Sequence, residues 1–135
     1  MEYNVKGIIE NLIQKSEEAL NSAEFNFQNE HYETCQNRLY YAIFYIVSTL
    51  AYKDNFITSK HAQLMGWFNK KYIYENKIFE TRMFAIYKEA FTNRQESDYD
   101  FTYKPEKDEI IALVEDAKFF INRVISYLTE KGVIG

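Results

Sequence analysis

Apolar residues recur at steps of three and four positions along most of this chain, the spacing that keeps one face of an α-helix buried. The pattern predicts five helices, at about residues 5–27, 32–50, 60–70, 79–97 and 105–128. The third is short, with Leu64, Trp67 and Phe68 on its inward face. We therefore expect an all-α protein, an antiparallel up-and-down four-helix bundle with one additional short helix.

The second predicted helix differs from the others in its pattern. Residues 39–52 carry no charge and are apolar nearly all round, which predicts a helix contacted on several sides at the centre of the bundle. This run is well short of the roughly 20 residues that span a bilayer, so we expect no membrane segment there. Cys35 lies on the buried stripe with Tyr32 and Leu39, which predicts a buried thiol that is inert as a nucleophile.

Residues with strong positional preferences support these helix ends. Thr58 or Ser59 is predicted to cap the third helix, and residues 72–76 are predicted to form a polar turn. Pro105 suits the start of the fifth helix, and the acidic residues after it favour the positive end of the helix dipole. Lys131 and Gly132 are typical of a helix end, where glycine readily adopts a positive φ.

The composition is that of a folded domain. With 135 residues, 47% hydrophobic and 27% charged, the chain is far from the composition of disordered segments, and we predict a single domain over residues 1–135. Four glycines and one proline are too few for a many-stranded sheet. The twelve tyrosines and eleven phenylalanines favour interface rims and ligand clefts in addition to a core.

Charge and cysteine content narrow the functional classes. A net charge of −4 and a pI near 5.3 argue against a broad basic face for duplex DNA, so any nucleic-acid contact must be local. One cysteine and two histidines make a poor zinc set, and we expect no metal or other cofactor. The first residues lack the pattern of a secretory signal, which favours a cytoplasmic protein.

The second helix carries the first candidate cluster of functional residues. Asn37 and Tyr41 share one face of it, and Arg38, Tyr41 and Tyr45 share an adjacent face. Arginine and tyrosine on neighbouring turns can hold a phosphate and stack a base. The plainer alternative is that Arg38 pairs with a carboxylate of the bundle while the tyrosines fill volume.

Two further clusters lie at helix ends. Lys60 and His61 begin the third helix, where the dipole disfavours a protonated imidazole, and the neutral ring can then exchange a proton or simply pack. Arg94, Asp98 and Tyr99 close the fourth helix. Arg94 and Asp98 are spaced as an ordinary ion pair along one helix face, and such a pair would explain both residues without a functional role.

Together these clusters resemble the HEPN domain family (higher eukaryotes and prokaryotes nucleotide-binding). The similarity rests on three motifs in order: an N-R-x-Y-Y-A-x-F helix beginning at Asn37, the pair Lys60 with His61, and an R-x-x-x-D-Y helix end beginning at Arg94. It extends over about residues 32–128. The chain is similar to the small stand-alone prokaryotic members.

The resemblance implies an up-and-down helical bundle of a kind that commonly dimerises. Many members of the family are encoded beside a small nucleotidyltransferase as a toxin and antitoxin pair. Several branches of the family are metal-independent ribonucleases that use an arginine followed four to six residues later by a histidine. Arg94 matches the arginine, but Asp98 and Tyr99 occupy the stretch of the histidine, and Asp100 is the next candidate.

This departure bears on catalysis, because metal-free RNA cleavage needs both a base and an acid near neutral pH. An aspartate of ordinary pKa is a poor acid, and the charge of Arg94 should lower the pKa of Asp98 further. His61 can replace the missing imidazole only if the third helix packs against the end of the fourth.

Three functions remain open from the sequence. The first is a binding module whose cleft, lined by Arg38, Tyr41, His61, Arg94 and Tyr99, holds a nucleotide or single-stranded RNA. The second is a metal-independent endoribonuclease toxin in which Arg94 stabilises the phosphorane and His61 or Asp98 transfers protons. The third is a structural subunit without a ligand. In each case we expect a homodimer whose surface includes part of the fourth helix.

Overall fold

The computed structural model describes residues 4–135. Its α-helices are α1 (Val5–Gln28), α2 (Tyr32–Lys53), α3 (His61–Phe68), α4 (Thr81–Tyr99) and α5 (Lys107–Glu130), and a π-helical segment, Asn69–Glu75, extends α3. Residues 4–135 contain no strand. The predicted all-α bundle with an additional short helix is confirmed.

The centre of the bundle is α2, as its apolar pattern predicts. It contacts each of the other four α-helices, and twelve of its 22 residues are buried. Its longest packing is against α1, where Ser16, Ala19 and Ala23 present small side chains that let the two helices approach closely. The hydroxyl of buried Ser16 donates a hydrogen bond to the carbonyl of Ala42 at 2.7 Å. Because only residues 29–31 join them, α1 and α2 run antiparallel.

The segment after α3 departs from the prediction. A polar turn was expected over residues 72–76, and this expectation is wrong: the chain continues into the π-helical segment, where Tyr72 and Ile73 are buried. Hydrogen bonds from residue i to i+5 widen the turn, so the apolar residues no longer follow the spacing of an α-helix. Tyr72 reaches the core through the rings of Phe68 and Phe79 and donates its hydroxyl to Asp54.

Several helix ends also differ from expectation. Neither Thr58 nor Ser59 caps α3, whose N-cap is Lys60 without a side-chain hydrogen bond. Thr58 instead accepts a hydrogen bond from the backbone N–H of Lys60 at 3.1 Å. The end of α5 is as predicted, since Gly132 adopts a φ of 71° immediately after the C-cap Lys131.

Cys35 is fully buried, as predicted. Burial raises the pKa of its thiol to about 11, with a smaller contribution from the negative charge of Glu24. The thiol therefore stays protonated near neutral pH, which suits a packing role. None of the helices among residues 4–135 combines the length and apolar character that crossing a membrane requires.

Candidate functional site

The packing of three helices brings the predicted functional clusters to one place. Tyr40 on α2 lies between His61, the first residue of α3, and Phe91 on α4, with ring centroids 5.8 Å and 6.0 Å away. Arg94, one turn beyond Phe91, places its guanidinium 5.0 Å from the centre of the same Tyr40 ring. His61 and Arg94 therefore contact a common side chain, although 33 positions separate them in the sequence (94 − 61).

Tyr41 contacts two guanidiniums, those of Arg38 and Arg94. The guanidiniums of Arg38 and Arg94 lie 5.1 Å and 5.3 Å from the centre of its ring. Such cation–π contacts orient each guanidinium while leaving N–H groups available for another partner. The two arginines predicted to converge are thus held over one ring. We call Arg38, Tyr40, Tyr41, Phe44, His61 and Arg94 the Arg94 cluster.

Arg94 is incompletely paired within residues 4–135. Its only carboxylate partner there is Asp98, at an Nη2–Oδ2 distance of 3.8 Å, which is long for a hydrogen bond. Its Nε is buried and has no hydrogen-bond partner among these residues. A buried donor without a partner costs free energy, so an anionic ligand that reached it would gain a charge-assisted contact.

His61 packs among aromatic side chains. Its ring stacks on Phe44 at 4.3 Å, and its Nδ1 shares a hydrogen bond with the hydroxyl of Tyr40 at 2.9 Å. Burial, with a smaller contribution from the positive charge of Arg94, lowers the pKa of His61. Burial also raises the pKa of Tyr40 well above its ordinary value, so both groups are neutral near pH 7.

The shared hydrogen bond allows two tautomers of His61 with different chemistry. If Nδ1 carries the proton and donates to the Tyr40 oxygen, Nε2 is free to accept a proton as a general base. If the Tyr40 hydroxyl donates to Nδ1, Nε2 carries the proton and can only donate. Base catalysis at this site therefore requires the first arrangement.

The lowered pKa of His61 has a consequence for stability. The unfolded chain, with a histidine pKa near 6.5, binds more protons than the folded chain as the pH falls below about 7. The contribution of His61 to stability is thus fully present above the unfolded pKa and is lost as the pH falls from there through the lowered folded pKa. We predict that His61→Gln weakens the loss of stability between pH 7.5 and pH 5.5, measured by urea unfolding. An unchanged loss would contradict a depressed pKa.

The remaining predicted site residues lie at increasing distances from the cluster. Asn37 is half-buried one turn before Tyr41 and lines a groove with Arg94. Tyr45, also half-buried, extends the aromatic row, with its ring centre 6.0 Å from that of Tyr41. Lys60 is exposed at the N-cap of α3.

Tyr99 is not part of the Arg94 cluster. Five residues after Arg94, it projects about 140° round the helix from it, and its side chain is 83% exposed. Asp98 is half-exposed beside Arg94. Asp100 accepts hydrogen bonds from the backbone and hydroxyl of Thr102, which lower the pKa of its exposed carboxyl and keep it ionised.

Sequence reasoning missed three residues that border Arg94. Glu33, Thr34 and Ser97 line the same groove, and the hydroxyl of Ser97 donates to the carboxylate of Glu33 at 2.6 Å. Only the packing of α2 on α4 makes them neighbours, so no local spacing signals them. Within residues 4–135 no group of three or more His, Cys, Asp or Glu side chains is placed to hold a metal ion.

The sequence has recognisable relatives. A model of the HEPN domain matches residues 9–129. Two proteins of Methanocaldococcus jannaschii, each named "Putative toxin" (MJ0142 and MJ0605), are both 31% identical to this chain. The first match covers 99% of this chain and 90% of the relative, and the second covers 94% and 93%. A "UPF0332 protein" of Thermotoga maritima is 27% identical, over 87% of this chain and 88% of its own length.

Proposed function

The chain belongs to the HEPN domain family, and we propose that it is a toxin-like HEPN protein that binds nucleotide or single-stranded RNA at the Arg94 cluster. The observation that carries this proposal is the position of Arg94 over the rings of Tyr40 and Tyr41, with an Nε that has no hydrogen-bond partner among residues 4–135. Arg38 adds a second guanidinium over Tyr41. Two neighbouring guanidiniums, each able to donate two parallel hydrogen bonds, are well suited to bind a phosphate.

The surrounding chemistry favours a single strand over a duplex. The chain is acidic overall, so a local pair of arginines, and not a broad basic face, is what attracts phosphate here. The half-buried rings of Tyr41 and Tyr45 are able to stack unpaired bases. Neutralising two phosphates of a single strand gives a shallow salt dependence, with a slope of log K against log salt of about −1.4.

Binding of a fluorescein-labelled single-stranded RNA, followed by anisotropy at several salt concentrations, tests this function. A saturable signal with the shallow slope supports it, and a duplex of the same length should compete poorly. No saturable binding at low salt, with the protein shown to be folded by circular dichroism, would refute it.

A second candidate function is metal-independent RNA cleavage, favoured by the position of a neutral imidazole beside Arg94. With Nδ1–H donating to Tyr40, Nε2 of His61 accepts the proton of a 2′-hydroxyl, whose oxygen bonds to phosphorus as the P–O5′ bond breaks. The departing 5′-oxygen takes a proton from water, and Arg94 stabilises the negative charge on the phosphoryl oxygens. Incubation of RNA with the protein in the presence of a chelator distinguishes the two functions. Cleavage that His61→Gln removes assigns catalysis; intact RNA that remains bound assigns a binding module.

We also propose that the protein is a homodimer whose interface includes the end of α4. Tyr99 is the last residue of α4 and Phe101 follows two positions later, with exposures of 83% and 98%, which are unusual for large aromatic residues of a monomer. We predict a mass by light scattering of twice the 16.2 kDa of one chain, and a monomer for Phe101→Asp. Phe25→Asp, which changes an exposed phenylalanine of α1, is the control and should stay dimeric. A wild-type mass near 16.2 kDa would contradict the proposal.

A small nucleotidyltransferase is the partner that the family resemblance proposes for this chain. The names of the two archaeal relatives describe toxins, which agrees with a chain that is one half of a toxin and antitoxin pair. Co-expression with the product of a neighbouring nucleotidyltransferase gene, followed by size-exclusion chromatography, tests this pairing.

A further inference from the structure

A polar groove opens beside the Arg94 cluster, between α2 and α4. Its volume is about 310 Å³, and its walls are formed by Glu33, Thr34, Asn37, Arg94, Ser97 and Asp98. Ligand pockets in proteins begin at roughly this size. The groove is therefore large enough for one planar group attached to a phosphate bound at the arginines.

The charges of this groove select what can enter it. Of the described residues that line it, Arg94 is the one cation, and Glu33 and Asp98 are carboxylates. Because Asp98 already lies beside Arg94, the carboxylate of Glu33 has no cationic partner within residues 4–135 and is held only by the hydroxyl of Ser97, at 2.6 Å. A second phosphate would be repelled, whereas a neutral group with N–H donors would be attracted.

The hydrogen-bonding pattern along α2 fits one base. Glu33 and Asn37 are four residues apart, so their side chains neighbour each other on one face of the helix. The carboxylate accepts two hydrogen bonds and the amide donates one. Guanine presents N1–H and N2–H as adjacent donors, followed by the O6 acceptor. In the same alignment adenine places its N1 acceptor, and cytosine its N3 acceptor, where guanine has N1–H, and uracil offers one donor there, N3–H, beside the O2 acceptor.

The spacing along the helix also suits a nucleotide. Glu33 precedes Tyr40 by seven residues, about 10 Å along the helix axis. A phosphate at Arg94, whose guanidinium lies over Tyr40 and Tyr41, thus leaves room for a ribose and a base directed towards Glu33.

We propose that this groove is a base-recognition subsite for guanine, so that the ligand of the Arg94 cluster is a guanine nucleotide or a guanine-containing single strand. The proposal rests on the proposed function, since the phosphate contact anchors the base. Glu33 accepts from N1–H and N2–H, Ser97 orients its carboxylate, and Asn37 donates to O6.

Competition against labelled single-stranded RNA tests the subsite with the four nucleoside 5′-monophosphates. GMP should displace the RNA at roughly tenfold lower concentration than AMP, CMP or UMP, the discrimination expected of one good bidentate contact to a base. Glu33→Gln replaces one carboxylate oxygen with an N–H donor and should reduce this preference to about threefold or less. The control is Glu96→Gln, which makes the same change at an exposed position of α4 outside the groove and should keep the preference.

The outcomes separate this proposal from the proposed function. RNA binding with four equally potent monophosphates, or with none that competes, overturns the guanine subsite and leaves RNA binding intact. A GMP preference that survives in Glu33→Gln also overturns it, because another group must then recognise the base. Absence of RNA binding by the folded wild-type protein overturns both.

Discussion

Arg94→Ala is expected to weaken binding of single-stranded RNA by roughly 30- to 150-fold, the equivalent of about 2–3 kcal/mol for loss of a charge-assisted contact to phosphate. Arg94 makes few other polar interactions in the structure. Its one carboxylate partner within residues 4–135 is 3.8 Å away and half-exposed, and its guanidinium lies over two tyrosine rings with Nε unpartnered. The phosphate contact is therefore the main interaction that the variant removes.

Folding should be affected much less by this change. An exposed ion pair contributes up to about 1 kcal/mol, and a cation–π contact contributes a comparable amount. Removal of a buried donor that lacks a partner offsets part of that loss. We expect a decrease of about 1 kcal/mol in the free energy of unfolding, and partial recovery of RNA binding in Arg94→Lys, which restores the charge but not the planar fork.

A matched control for Arg94→Ala is present in the same chain. Arg82 also places its guanidinium over a ring, 4.2 Å from the centre of Phe119, and it pairs with Asp116 at 3.0 Å, although its side chain is exposed. Arg82→Ala should cost similar stability and leave RNA binding unchanged. If both variants weaken binding equally, or if Arg94→Ala unfolds most of the protein while the folded fraction binds normally, Arg94 is a structural residue.

Phe68→Ala should lower the free energy of unfolding by about 3–5 kcal/mol, the usual cost of emptying a fully buried aromatic site. Phe68 ends α3 with no exposed surface, and its ring centre lies 5.5 Å from that of Phe120 and 5.8 Å from that of Tyr87. It joins α3 to both α4 and α5. Because the net stability of a domain is about 5–15 kcal/mol, this single change removes a large part of it.

Urea unfolding of Phe68→Ala beside Phe25→Ala provides the measurement. Phe25 is 65% exposed on α1, so the same truncation there should change stability by no more than about 0.5 kcal/mol. Equal midpoints for the two variants would contradict the position of Phe68 in the core. The Phe68 variant should also weaken RNA binding at moderate urea, since α3 carries His61 at its first residue.

The helix pattern was readable because each long helix carries a full apolar stripe. Residues 39–52 predicted a central helix, and α2 does contact every other α-helix. The π-helical segment was missed for a local reason. Its wider turn buries the consecutive residues Tyr72 and Ile73, which do not fit a spacing of three and four. With Lys70 and Lys71 immediately before Tyr72, the segment also has the polar composition of a loop.

The sequence predicted most residues of the candidate site but not the contacts between them. The sequence pointed to Arg38, His61 and Arg94 as separate clusters, and their contact through Tyr40 and Tyr41 depends on where α3 and α4 cross α2. Tyr99 was also predicted as a site residue, but it projects away from Arg94, because a separation of five residues places the two on different faces of the helix. The helical face of each residue, once its helix is known, would have separated these two cases.

The sequence by itself determined the all-α class, the central position of α2, the burial of Cys35 and the family, because each follows from local periodicity or from ordered motifs. Only the tertiary structure decided that His61 and Arg94 meet on one tyrosine and that Glu33 and Ser97 form a groove beside them. Those contacts join residues 33 and 64 positions apart (94 − 61 and 97 − 33). Their existence depends on side-chain packing between whole helices, which no spacing within a single helix encodes.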